Sequence, residues 1–431
     1  MKRRTLLQGA AATLAAPRIL RAEAARVVRF VPFVDLGILD PVINTAALTR
    51  THGYLVFDTL YGTASDYSIE PQMVEGHVTD SDFRTWTLTL REGLAFHSGE
   101  KVLARDVVAS IRRWGAVDQS GRTLLAATDE LAVVSDRVLR FRMKQPFPLL
   151  PDALGKIAPS MPCIMPERIA SADPAKPVKE IVGSGPFRFV ANERVPGARV
   201  VYEKFADYVP RPNGVPGLTS GPKVVNIDRV EWITMPEFAT AAAALQRGEV
   251  DWVDVPSPDL LPMLRRDPKL VVDVKDKTGV VPVLRFNCIQ PPFDNVAIRR
   301  AVLGAASQAD FLSALSSDST NWRDHVGVFT PGTPMASAAG IQDEPTDLAT
   351  ARQAIQAAGY KGERVVVMTP TDHPVNGPAA QVAADLMKKL GLNVDAQAMD
   401  AGTMFERRAS REPVDKGGWS CFPSAVAGRT R

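Results

Sequence analysis

Trp86-Thr87-Leu88-Thr89-Leu90-Arg91-Glu92-Gly93-Leu94-Ala95-Phe96-His97-Ser98-Gly99-Glu100, followed by Ala104-Arg105-Asp106-Val107-Val108-Ala109-Ser110, is the stretch from which the fold can be read. Residues 86–90 alternate apolar and polar side chains, the period of a half-buried strand. Gly93 and the segment 96–100 then turn the chain. Residues 104–114 read as a helix, with Asp106 in the first turn, where the helix dipole favours a carboxylate.

Working outward toward the amino terminus, residues 26–34 are rich in Val and Phe and read as the strand that starts the fold. Leu39-Asp40-Pro41 turns the chain, because the residue before a proline is pushed out of the helical region. Residues 45–60 have helical spacing of apolar side chains. Toward the carboxyl terminus, residues 132–143 read as a hairpin through Ser135-Asp136, and Pro146, Pro148 and Pro151 begin an irregular connection. Gly183-Ser184-Gly185-Pro186 precedes a strand that ends near residue 190, and residues 199–204 form another. The stretch 208–222 is dense in Pro and Gly and reads as a surface loop. A strand over 224–234, an alanine-rich helix over 238–247 closed by Gly248, and a strand over 250–255 follow. Strand–helix–strand order implies parallel pairing and an α/β class. A second such unit lies beyond residue 284: helices over 295–303 and 346–358, a strand over 364–369, a helix over 379–390 ended by Gly391, and a strand over 393–398.

Composition sets limits on function. Of the 431 residues 45% are hydrophobic and 23% charged, the profile of a soluble globular protein with a full core. Five of the 51 basic residues and one of the 48 acidic residues fall within residues 1–24, so the remainder carries 46 against 47, a net of −1. A near-neutral chain has no electrostatic footprint for nucleic acid. Cys163, Cys288 and Cys421 are widely spaced and odd in number, neither a disulfide framework nor a zinc pattern. They read as small buried hydrophobes plus one tail thiol, with one bridge open to an exported protein.

The amino terminus reads as an address. Lys2-Arg3-Arg4 precedes Leu6-Leu7, residues 9–16 are small and weakly apolar, and Ala22-Glu23-Ala24 has the small-x-small form of a cleavage site. Adjacent arginines and low hydrophobicity favour the twin-arginine route to the periplasm. Pro17 and Arg18 break the apolar run far short of the ~20 residues a membrane span needs.

Catalytic patterns are missing from the sequence. There is no His-Glu-x-x-His, no phosphate-binding loop, no Gly-x-Ser-x-Gly and no metal-ligand spacing. Ser184 lies between glycines, but Pro186 follows where a nucleophile turn would begin a helix. His52, His77, His97, His325 and His373 are scattered singly, as surface or packing residues.

The opening stretch, with its Leu-Arg-x-Gly, Phe-His-Ser-Gly and Asp-Val-Val pieces, resembles the signature of the family 5 extracellular solute-binding proteins. Further matches follow in order: Leu39-Asp40-Pro41, Pro146-Phe147 with Leu149-Leu150, Gly183-Ser184-Gly185-Pro186-Phe187, Leu245-Gln246-Arg247-Gly248-Glu249-Val250-Asp251, and Phe286-Asn287 with Pro292-Phe293-Asp294-Asn295-Val296-Ala297-Ile298-Arg299.

This resemblance implies an α/β, two-lobed fold of the type II periplasmic-binding-protein kind, with an extra domain inserted in the first lobe. Residues 25–60 and 180–275 are expected to form the first lobe, 61–179 the insertion and 276–431 the second lobe. A peptide or similar small solute would bind between the lobes, closure would be a hinge motion, and an ABC permease in the inner membrane would be the partner. The protein is expected to be monomeric, to need no cofactor or metal, and to catalyse nothing. The rival readings are a non-transport periplasmic binding or chaperone protein and a secreted hydrolase, for which no activated nucleophile or carboxylate pair is visible.

Candidate ligand contacts at strand ends are Val34, Asp35 and Leu36 on the first lobe and Asn287, His373 and Trp419 on the second. His373 stands where dipeptide-binding relatives place a base for the ligand carboxylate. Beyond Gly417-Gly418-Trp419 the tail Ser420–Arg431 matches nothing expected of the family. The second lobe is therefore expected to be incomplete, and the chain less stable than a full-length relative.

Overall fold

The computed structural model describes residues 25–157, 159–341 and 345–428, so the stretch 1–24 expected to act as an export signal lies outside the described residues. In chain order the strands are β1 (Val27–Val31), β2 (Tyr61–Thr63), β3 (Ile69–Pro71), β4 (Val74–Thr79), β5 (Thr85–Leu90), β6 (Thr128–Ser135), β7 (Val138–Met143), β8 (Phe187–Phe189), β9 (Arg199–Lys204), β10 (Arg229–Ile233), β11 (Trp252–Val253), β12 (Val280–Phe286), β13 (Arg364–Pro370), β14 (Asn393–Met399) and β15 (Cys421–Ala427).

The first lobe is built on a five-stranded sheet in the order β11-β1-β10-β9-β8. Its centre is parallel, β1 lying between β10 and β11, and β9 runs antiparallel to both β10 and β8. Alternation in β1 divides its side chains. Phe30 packs on Trp232 and Trp252, while Val31 meets Ala241 and Ala244 of the helix Phe238–Arg247 on the other face. That helix stops at Gly248, whose φ of 72° closes the last turn in the left-handed region. Asp251 then ties β11 to β1 by accepting the Arg29 backbone N–H at 2.7 Å.

Between β1 and β8 lie the β2-β3 ladder and an antiparallel sheet in the order β4-β5-β7-β6. In β5 the alternation read from sequence holds: Trp86, Leu88 and Leu90 are buried and Thr85, Thr87 and Thr89 half-buried. The helix Ala104–Val117 covers this sheet, and Asp106 accepts the Leu103 N–H at 2.8 Å, closing its first turn. One continuous apolar core joins Phe30, Tyr202 and Trp232 of the first sheet to Trp86, Leu88, Phe141 and Trp114 of this region.

Several sequence motifs prove to be joints of this core. His97 lies against the 183–186 loop: its backbone N–H donates to Gly183 O at 2.8 Å, and its Nε2 lies 3.0 Å from Gly185 O. Both glycines press on the end of the helix Ala47–Val56, where a Cβ on Gly183 would stand 2.1 Å from Val56 O. Asp40 forms a fully buried ion pair with Arg113 at 2.8 Å and also accepts the Val178 N–H. Asp58, likewise buried, gathers Lys223 and Tyr208, pinning the Pro/Gly-rich loop to the core.

The second lobe holds a four-stranded sheet in the order β12-β15-β13-β14. β13 is parallel to β14 and β15, and β12 is antiparallel to β15. Val365 and Val367 of β13 point into a core with Met387, Phe293, Ile298 and Cys421. The helix Asn376–Lys389 contributes Ala380, Ala384 and Met387 to it.

Two expectations are corrected here. Residues 421–427 are not foreign to the fold: β15 pairs with β12 along its whole length and fills the place between β12 and β13. Cys421 is accordingly fully buried, and the exposed thiol is Cys288; the three cysteines are free, with Cys163 also buried. Composition misled because Pro423, Ser424 and Gly428 look like loop residues. β15 nevertheless runs beside β12 with Pro423 opposite Leu284.

Candidate functional site

In open α/β sheets the parallel strands end on one edge, and ligands bind beyond those carboxyl ends. Here β1 of the first lobe and β13 of the second end facing one another. Phe33, two residues past β1, meets His373, three residues past β13, with ring centroids 5.8 Å apart and nearly perpendicular. A second bridge between the lobes is a hydrogen bond from Arg408 Nη2 to Thr45 Oγ1 at 2.8 Å. These two contacts join the facing walls of the two lobes.

On the second lobe, His373 is fixed by its own loop. Its Nδ1 accepts the backbone N–H groups of Val375 and Asn376 at 3.3 and 3.2 Å, at the start of the helix Asn376–Lys389. That places the remaining ring proton on Nε2. Burial lowers the imidazole to about 4, so His373 is neutral at pH 7. Asp372, beside it, accepts the Ala401 N–H at 2.7 Å and so ties this loop to the helix Ala401–Arg407. Phe405 of that helix stands 6.2 Å from His373, edge to face, and the Arg408 guanidinium lies over the Phe405 ring at 5.2 Å.

Behind this wall Trp419 packs on Phe422, centroids 4.9 Å apart, in a cluster with Met368 and Met404 that includes Phe405 at its margin. Arg407 clamps the approach to Trp419 by donating to Gly417 O and Gly418 O at 2.8 and 2.7 Å. The buried Trp419 Nε1 has no acceptor among the described residues, and neither end of the Asn376 amide has a partner.

The residues expected from sequence are distributed unevenly. His373 lies at the contact between the lobes, and Trp419 is joined to it through Phe405. Val34 is half-buried against the first-lobe core and Leu36 lies within it. The Asp35 carboxylate is occupied, accepting the Thr234 hydroxyl and the Gly197 N–H, both at 3.1 Å. Asn287 lies at the far end of the second sheet: its Nδ2 donates to Trp419 O at 2.9 Å and its N–H to Ser420 O at 2.8 Å. Because β15 runs parallel to β13, that is the end opposite His373.

Sequence reasoning missed Phe33, Thr45, Asp254, Phe405 and Arg408. Phe33 adjoins the expected Val34 and was within reach. Arg408 offered no signal, since cations at a helix carboxyl end are ordinary. Asp254 follows β11 and donates its N–H to Val31 O at 3.0 Å. Burial raises its carboxyl to about 6, and among the described residues no cation is paired with it.

The model of the bacterial extracellular solute-binding proteins, family 5, matches residues 68–428. A probable peptide ABC transporter periplasmic-binding protein of Sinorhizobium fredii is 35% identical over 98% of this chain and 80% of its own length. Two solved structures share the fold. A periplasmic binding protein of A. tumefacien R10 in complex with agropinic acid has a TM-score of 0.76 at 19% identity, over 94% of this chain and 78% of that one. A periplasmic binding protein of Helicobacter pylori in complex with the peptide STSA has a TM-score of 0.74 at 22% identity, over 93% of this chain and 78% of that one.

Proposed function

The chain belongs to the family 5 bacterial extracellular solute-binding proteins, and from that premise we infer that it is the periplasmic receptor of an ABC importer, taking up a peptide or similar small solute between its lobes. The observation that carries the site is the meeting of Phe33 and His373 at the carboxyl ends of β1 and β13. Solute enters between these ends and the lobes close over it by a hinge in the single described crossing, residues 254–279. His373 supplies a neutral Nε2–H donor and an aromatic edge, Phe33 and Phe405 supply apolar surface, and Trp419 backs that surface. Val34, Asp35 and Leu36 shape the first-lobe rim by holding the Phe33 loop, and Asn287 acts at a distance by holding the Trp419 backbone.

The protein catalyses no reaction in this reading: the cleft groups are a neutral imidazole, aromatic rings and a guanidinium, with no nucleophile beside a base. Export uses the twin-arginine signal at residues 3–4, the mature chain is a monomer, and the closed form docks on the inner-membrane permease. No helix among the described residues is long and apolar enough to cross a membrane.

Calorimetric titration of the exported chain with pooled di- to tetrapeptides tests this. One-to-one binding without peptide hydrolysis is expected. No heat with any peptide pool overturns the peptide assignment, and cleavage of the peptides overturns the non-catalytic one.

A further inference from the structure

The inserted sheet, ordered β4-β5-β7-β6, ends on a strand with one open edge: β6 pairs with β7 and, among the described residues, with no other strand. On β7, Met143 donates its N–H to Arg84 O on the β5 side and Lys144 donates to Ala127 O on the other. By alternation Arg142 and Arg140 face β6, where Glu130 and Ala132 lie opposite them, so Leu131 and Val133 turn their backbone groups outward. Native edges are usually blunted by charge, proline or cover. Here Val133 and Val134 are exposed at the end of β6. A groove of about 620 Å³ runs along this edge, walled on its other sides by the helix Ala104–Val117 and the segment 167–174, with Val108, Ala109 and Ala170 as its apolar floor. The ionisable side chains that line it are Arg105, Arg112, Arg113 and Glu167. Arg113 is neutralised by the buried Asp40 at 2.8 Å and holds the far wall through Ala172 O, Asp173 O and Lys176 O. Glu167 stands 3.7 Å from Arg105. Arg112 is exposed, donates to Leu131 O at 3.2 Å and has no carboxylate within ion-pairing distance among the described residues. One uncompensated cation thus sits over an open strand edge.

We propose that this groove docks an extended acidic segment of a partner protein, which joins β6 as a further strand and sets a carboxylate side chain on Arg112. The incoming backbone pairs with the outward N–H and C=O groups of Leu131 and Val133. Leu131 O accepts from that strand and from Arg112 together, because a carbonyl has two lone pairs. Side chains alternate across an added strand, so every second one faces the helix Ala104–Val117. The carboxylate belongs to that set, between apolar side chains that rest on Val108, Ala109 and Val133. None of these residues takes part in the contact between the lobes, so the inference goes beyond solute binding and does not rest on it.

The test uses the whole exported chain and its R112E and V133P variants. The probe is the blocked pentapeptide acetyl-Val-Thr-Glu-Thr-Val-amide, which puts two valines and the glutamate on one face. Its comparators are the same peptide with Lys in place of Glu, its fully N-methylated form, and glutarate as a free acid. Hydrogen–deuterium exchange read by mass spectrometry locates the binding. The glutamate peptide is expected to slow exchange over residues 128–135, at ~10-fold higher concentration in R112E. No such slowing is expected with the lysine or N-methylated peptide, or in V133P, which removes an outward N–H. Circular dichroism identifies a folding defect; if V133P is unfolded, R112E and the N-methylated peptide carry the comparison. Exchange over 128–135 unmoved by the glutamate peptide overturns the docking site, as does slowing confined to residues 371–376 between the lobes. Equal protection by the lysine peptide, or in R112E, overturns the acidic partner. Equal protection by glutarate overturns strand docking in favour of a small acid. Each of these outcomes leaves the solute-binding reading in place, since that is tested at the contact between the lobes.

Discussion

Asp254 shows how much one residue's surroundings can do. Its carboxyl is raised to about 6 by burial, with no compensating cation among the described residues. The folded chain thus holds this proton more tightly than the unfolded chain, where an aspartic acid titrates near ~3.9. The penalty is absent below about pH 4 and grows as the pH rises through about 6, reaching roughly 2 kcal/mol above it once partial solvent contact is allowed for. Asp254→Asn is therefore expected to raise the melting temperature at pH 7.5 and to leave it unchanged at pH 4. A gain at both pH values, or at neither, would show that the carboxylate is not the source. At this scale the sequence was least informative. His97 and Asp40 sit in motifs legible as turns, but the contacts that make them joints, to Gly185 and to Arg113, come from distant parts of the chain. Arg408 meets Thr45 across the lobes, and Asp254 is buried beside the end of β1, and no local pattern records either.

At the scale of elements, periodicity carried most of the reading. The helix Phe238–Arg247 and the strand Arg199–Lys204 lie where spacing puts them, because Gly248 ends the first and alternation marks the second. The helix Asn376–Lys389 begins three residues earlier than Ala379, since His373 caps its first turn with a side chain that propensity does not weigh. The strand expected over 250–255 shrinks to Trp252–Val253, the two residues in register with Phe30 and Val31 of β1, while the N–H groups of Asp251 and Asp254 add single bonds to β1 at its ends. The tail was misjudged most. β15 is interior to the second sheet, with Cys421 in the core and Phe422 against Trp419. Ending the chain after Gly418 is therefore expected to leave β12 and β13 unpaired along facing edges and to expose both clusters. The second lobe should lose its cooperative melting transition, while the first lobe, with its own core, keeps one. Differential scanning calorimetry with limited proteolysis reads this out; unchanged second-lobe protection in the shortened chain would contradict the role given to β15.

At the scale of the whole molecule, two sheets present their carboxyl ends to each other across a single described crossing, with Phe33, His373 and Phe405 between them. The α/β class and the two-lobed arrangement were legible from ordered motifs spread along the chain, whereas which residues face the cleft was not, because that depends on how the lobes approach. The central claim is that solute binds between the lobes and draws them together. Cys288 is an exposed native thiol on the second lobe, and Cys163 and Cys421 are buried. Val78, on β4 of the first-lobe assembly, is 73% exposed. Spin labels on Cys288 and on the thiol introduced by Val78→Cys give the inter-lobe distance by pulsed electron resonance, measured without solute and with a peptide that calorimetry has shown to bind. A broad distribution that narrows and shifts on saturation is the expected result. A distribution unmoved by a bound peptide would contradict binding between the lobes.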